Sequence, residues 1–145
     1  MPFPAPVPGL VIRYSYLWRS EYLEGKEEGV KDRPCAVLLS VSNDSGGTKV
    51  VVLPITHTPP ANLAHAVEIP AETKRRLRLD DERSWIVLNE SNRFSWPGPD
   101  LRPLKRGDPA SVAYGELPRA LYEKVRAQWL ALYESGAARI VGRTM

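Results

Sequence analysis

Short runs rich in β-branched and aromatic residues follow one another at close spacing in this chain, and that spacing constrains it to a small β-rich fold. The first, Leu10 to Trp18, reads Leu-Val-Ile-Arg-Tyr-Ser-Tyr-Leu-Trp and predicts a strand with Arg13 and Ser15 on one face at period two. Cys35 to Val41 and Lys49 to Ile55, joined by the turn-forming Asn43-Asp44-Ser45-Gly46-Gly47, predict a β-hairpin. Ala66 to Ile69 and Ser84 to Leu88 add two short strands, with a short helix or turn around Glu72 to Leu77 between them. Together these elements predict a small barrel over residues 9–96, in one domain that spans residues 1–145.

The flanking segments read differently. Residues 1–8, with proline at every second position, predict an extended arm, because each proline fixes φ and removes a donor. Residues 19–32 are polar, carry Gly25 and Gly29, and predict a long mobile loop. Residues 97–117 are rich in Pro and Gly and predict an irregular connection. A helix over 118–135 follows. Pro118 suits its first turn, Leu117, Leu121, Val125, Trp129 and Leu132 recur at helical spacing, and Gly136 is placed to end it at the C′ position. Ala137 to Val141 is compatible with a final short strand or a loose tail.

Composition bounds the function. With 43% hydrophobic residues the chain can bury a real core, which excludes wholesale disorder, a collagen-like fibre and a coiled coil. Cys35 is the single cysteine and cannot form an intramolecular disulfide or begin a zinc cluster, which points to a reducing, cytoplasmic setting. The start has no cationic head and no helical apolar stretch of the secretory kind, and Val50 to Ile55 is far shorter than the ~20 residues of a membrane span. Twenty basic against 17 acidic residues leave a net charge of +3, a mild bias toward anionic partners. Lys74-Arg75-Arg76 with Arg78 is the sharpest basic cluster, but Asp80-Asp81-Glu82 follows at once, and the segment reads as a solvated amphoteric loop.

No phosphate-binding glycine loop, nucleophile elbow or His-Glu-x-x-His motif is present, and no metal-ligand spacing surrounds His57 or His65. A mechanism without metal or other cofactor is the simpler expectation. What stands out is a polar set where strands end: Arg33 before Pro34, Thr56-His57-Thr58 after Val51 to Ile55, and Asn89-Glu90-Ser91-Asn92-Arg93 after Trp85 to Leu88. Strand ends flanking loops are where barrels keep their sites.

The order of these pieces is similar to the MazF/PemK family of toxin endoribonucleases. Gly9-Leu10-Val11 opens a strand and a charged loop follows. Then come Arg33-Pro34-x-Ala36-Val37-Leu38, a hairpin, Pro54-Ile55-Thr56, and a strand ending before an aromatic. The resemblance covers roughly residues 8–96. It implies an SH3-like barrel, a homodimer, metal-independent cleavage of single-stranded RNA such as mRNA, and neutralisation by an antitoxin protein.

Such cleavage needs a base for the 2′-hydroxyl proton, an acid for the leaving 5′-oxygen and a cation facing the charge on phosphorus. Arg33 falls at the family's essential arginine and its fork matches two phosphate oxygens. Thr56 resembles the Thr or Ser after Pro-Ile that would hold the phosphate or relay a proton; the alternative is a strand-end hydroxyl satisfying the backbone. His57 could be base or acid, yet adjacent strand residues point to opposite faces, so Thr56 and His57 share the cleft only if a loop begins at Thr56.

The loop histidine of some members has no equivalent in residues 19–32, and His57 is its candidate substitute. Asn89 stands at the position of an acidic residue, with Glu90 beside it as the candidate carboxylate, and Asn92 or Arg93 meets the usual arginine. Thr58, Asn89, Arg93, Phe94 and Trp96 complete the candidate substrate-binding set, the two aromatics either stacking an unpaired base or closing a small core. A catalytically inactive barrel that binds RNA or a protein is the competing class. Its gyrase-poison form (CcdB-type) acts through a Trp-Gly-Ile carboxyl end that Ile140-Val141-Gly142-Arg143-Thr144-Met145 does not match.

Overall fold

A computed structural model describes residues 2–26, 31–43 and 46–143. Expectations that fall on Met1, residues 27–30, Asp44, Ser45, Thr144 and Met145 lie outside the described residues. The fold is mainly β. In chain order it comprises β1 (Leu10–Tyr14), α1 (Arg19–Leu23), β2 (Arg33–Ser42), β3 (Thr48–Thr56), β4 (Ala66–Glu68), α2 (Ala71–Arg76), β5 (Trp85–Val87), β6 (Glu90–Ser95), β7 (Ala113–Glu116), α3 (Arg119–Glu134) and β8 (Arg139–Gly142). A turn of 3-10 helix at Leu63–His65 leads into β4.

The strands pair in the order β4-β5-β3-β2-β1-β7, with β6 against β3 and β8 against β6. Pairing is antiparallel except between β6 and β8. Among the described residues the hydrogen-bonded path does not close on itself. A small β-rich fold therefore forms, with its edges at β4, β7 and β8.

The central strands are apolar at nearly every position because both of their faces are covered. Leu10, Ile12, Tyr14, Cys35, Val37, Val50 and Val52 face one cluster, together with Phe94, Leu101 and Val112. The intervening Val11, Ala36, Leu38, Val51, Leu53 and Ile55 face the other, together with Val125 and Trp129 of α3. Alternate residues of a strand point to opposite faces, so two-sided burial converts the usual alternation into a continuous apolar run.

Helix α3 forms where the periodicity predicts it. Leu117, Val125 and Trp129 are buried and Leu121 and Leu132 pack against them, while Gly136 at φ +80 lets the chain leave the helix in the left-handed region. Strand β2 carries a bulge between Val37 and Leu39, and there the Tyr122 hydroxyl of α3 donates to the Leu38 carbonyl at 2.7 Å. Tyr122→Phe is expected to cost about 1 kcal/mol in urea unfolding, since the carbonyl loses its side-chain donor at the bulge. An unchanged midpoint would show that the bond contributes nothing net.

Several expectations need correction. The first strand ends at Tyr14 rather than Trp18, because the Leu17 amide and carbonyl are taken by the Asn92 side chain instead of a neighbouring strand. The expected loop 19–32 begins as α1, whose first amide, Arg19, donates to Glu90 at 3.0 Å. Asn89 to Arg93 is not a strand-end loop: Glu90 starts β6, and Ser91 and Asn92 are fully buried in it. The connection 97–117 contains β7, which pairs with β1. Of the two alternatives open for the segment after Gly136, the strand is the one that forms, as β8 parallel to β6.

The amphoteric loop is only partly solvated. Lys74 is 4% exposed, its ammonium donating to Asp80, Ser84 and the Glu82 carbonyl. No helix among the described residues is long and apolar enough to cross a membrane.

Candidate active site

A cleft of about 880 Å³ opens where the β2–β3 pair ends. The antiparallel register that sets Cys35 opposite Pro54 brings Arg33 and Thr56 to the same end of the pair, at the cleft wall. Strand β3 stops at Thr56, whose Oγ1 accepts from the Thr58 amide at 3.2 Å. That turn removes the alternation between neighbours, so Thr56, His57 and Thr58 all line the cleft. The hydroxyl therefore satisfies a backbone amide, as one of its two expected readings had it, at a residue that lines the cavity.

Arg33 is half-buried. Its guanidinium lies over the Trp18 ring, 4.8 Å from the centroid, and one Nη donates to the Ile55 carbonyl at 3.4 Å. Nε is buried and has no hydrogen-bond partner among the described residues. A guanidinium with five N–H donors and so few protein acceptors keeps capacity for an anion.

The imidazole of His57, which also lines the cleft, meets Asp80, Nε2 to Oδ2 at 2.7 Å, and Nδ1 lies 3.9 Å from the Glu82 carboxylate. The other oxygen of Asp80 takes the Lys74 ammonium at 2.6 Å and the Glu82 amide at 3.1 Å. Partial burial opposes ionisation of Asp80, but the bonds from Lys74, His57 and the Glu82 amide outweigh it and hold the carboxyl below its ordinary range. His57, Asp80 and Glu82 are the one group of potential metal ligands among the described residues. The Lys74 cation already neutralises Asp80, which leaves Glu82 as the one uncompensated carboxylate of the set and weakens its claim as a metal centre.

The other sequence candidates separate into those in the cleft and those outside it. Asn89, at the β5–β6 connection, lines the cleft. Glu90 and Arg93 do not. The Glu90 carboxylate is turned to the Tyr16 hydroxyl at 3.1 Å and the first amide of α1, where it acts as a tertiary cap. Arg93 is exposed in mid-β6, between β3 and β8.

Phe94 cannot stack a base. It is 2% exposed and stacked on Tyr14 at 4.6 Å. Trp96 packs against the same cluster, 6.1 Å from the Phe94 ring, and its indole N–H donates to the Pro4 carbonyl at 3.1 Å. The aromatic in the cleft is Trp18, which the sequence reading placed inside a strand. Lys74, Asp80 and Ser84 were also missed, because charges that cancel in sequence carry no sign of their pairing in space.

Burial raises the Glu90 carboxyl above its ordinary range, against the opposing effect of the Arg19 amide and the Tyr16 hydroxyl. A raised folded-state value means the native chain binds this proton more tightly than the unfolded chain. The stabilisation is present at low pH and is lost as pH rises through the raised value. Glu90→Gln keeps an acceptor for both donors and removes the titration. In urea unfolding the variant is expected to gain on the native chain as pH rises from the ordinary glutamate range upward. A difference independent of pH would contradict the assignment.

Comparison with models of known protein families and with curated proteins gives no match to this chain.

Proposed function

We propose that the chain is a MazF/PemK-like endoribonuclease that cuts single-stranded RNA by attack of the RNA's own 2′-hydroxyl, with no metal or other cofactor in the reaction. The observation that carries this reading is the convergence of Arg33, Thr56 and His57 on one cleft from the ends of β2 and β3. His57 takes the 2′-hydroxyl proton, the 2′-oxygen bonds to phosphorus, and the bond from phosphorus to the 5′-oxygen breaks. Arg33 faces the charge that gathers on the phosphoryl oxygens, and the Thr56 hydroxyl donates to one of them. The leaving 5′-oxygen takes its proton from water, since Glu90, the other candidate acid, lies outside the cleft.

The same reading extends to an SH3-like barrel, a homodimer whose groove is lined by both copies of the site, and an antitoxin segment whose acidic residues meet Arg33. A cytoplasmic setting fits Cys35, which is buried, free and pushed above its ordinary range by burial.

The test is incubation of a long single-stranded RNA with the purified chain in excess chelator. Discrete fragments are expected. Intact RNA that nonetheless binds would favour the inactive, binding form of this fold, and intact RNA without binding would overturn the reading.

A further inference from the structure

We infer that Asp80, held by the buried Lys74 ammonium, is a positioning residue that fixes His57 with its proton on Nε2 and a lone pair on Nδ1. The consequence for cleavage rests on the ribonuclease reading above; the consequence for the imidazole does not.

The geometry runs from inside outward. Lys74 is 4% exposed, and its three N–H donors meet three acceptors: Asp80 Oδ1 at 2.6 Å, Ser84 Oγ at 2.7 Å and the Glu82 carbonyl. Its one charged partner among the described residues is Asp80. An ordinary surface His–Asp pair has no such anchor, and its two side chains would gain little from one fixed geometry. Here the Glu82 amide, 3.1 Å from Oδ1, adds a second tether to the carboxylate.

With Oδ1 engaged, Oδ2 is left for His57 at 2.7 Å. An ionised carboxylate only accepts, so Nε2 must donate. Nδ1 then carries the lone pair, and at 3.9 Å it is beyond hydrogen-bond reach of Glu82. When Nδ1 takes a proton, the imidazolium lies between the Asp80 and Glu82 carboxylates. That is the arrangement in which a carboxylate orients a histidine base and fixes its tautomer.

Asp80→Asn reads the role directly. Lys74 retains the amide oxygen, so the amide nitrogen faces His57 Nε2 and donates to it. Long-range proton–nitrogen NMR of the imidazole rings is expected to show the Nε2–H tautomer of His57 in the native chain and Nδ1–H in the variant. A His65→Gln chain assigns the two ring systems.

Cleavage by Asp80→Asn is expected to lose kcat on the order of 10²–10⁴-fold with KM little changed. Ser84→Ala, which loosens Lys74 without touching His57, is expected to give a mixture of tautomers. An Nδ1–H tautomer in the native chain, or an unchanged tautomer in Asp80→Asn, would overturn the inference, as would a kcat within twofold of native. If the native chain cuts no RNA, the ribonuclease reading falls and the tautomer alone decides this one.

Discussion

Arg33→Ala is expected to lower RNA cleavage by about 10²–10³-fold, the loss that follows removal of one preorganised donor facing a developing oxyanion, roughly 2.7–4 kcal/mol. Arg33 is suited to that task by position and by what it leaves unused. It stands at the first residue of β2, braced over Trp18, with Nε unpaired among the described residues. Arg33→Lys is expected to recover little, because a lysine presents a point charge where the guanidinium presents a fork. The variant must be compared at equal folding, since it also loses the contact with the Ile55 carbonyl at 3.4 Å. Cleavage rates under single turnover, beside urea unfolding of both chains, separate the two effects. A folded Arg33→Ala chain that cuts at the native rate would leave the cleft without its assigned cation.

The largest stability effect is expected far from the cleft. Asp100→Ala should cost about 3–5 kcal/mol, because it removes one partner of a buried, hydrogen-bonded ion pair with Arg143. The two side chains are 9% and 2% exposed and meet at 3.0 Å. One Nη of Arg143 also donates to the Ser15 carbonyl at 2.8 Å, and to the Tyr14 hydroxyl and Asn92 Oδ1 at 3.2 Å each. The Arg143 amide donates to the Arg93 carbonyl at 2.8 Å, so the residue ties the end of β8 to β6 and to the exit of β1. Urea unfolding checks the size of the loss, and the double variant Asp100→Leu with Arg143→Met should recover much of it. A loss below about 1 kcal/mol would mean that water or another group compensates the charge.

The same network shows why part of the fold was hidden in the sequence. Helix α3 and the β2–β3 hairpin were legible because their burial is written as periodicity, at 3.6 residues in one and as an apolar run bounded by turn residues in the other. Strand β6 was not. It reads Glu-Ser-Asn-Arg-Phe-Ser, and of its buried positions only Phe94 is apolar; Asn92 is polar because its amide bonds the Leu17 amide and carbonyl at 2.9 and 2.8 Å, standing in for a missing neighbour strand. Strand β8 depends on β6 and on Arg143, so its place could not be read before theirs. In the cleft, Arg33, Thr56 and His57 were legible as polar residues at strand ends. Trp18, Lys74 and Asp80 became visible only once the fold had brought distant segments into contact.

One substrate change tests the proposal that this cleft uses the RNA's own 2′-hydroxyl as nucleophile. An oligoribonucleotide containing one mapped cleavage position is compared with its counterpart carrying a single 2′-deoxy nucleotide there, both in excess chelator, with end groups identified after single turnover. The native RNA is expected to yield a 2′,3′-cyclic phosphate and a 5′-hydroxyl, and the deoxy counterpart to stay intact. Equal cutting of both, or products ending in a 3′-hydroxyl and a 5′-phosphate, would contradict it.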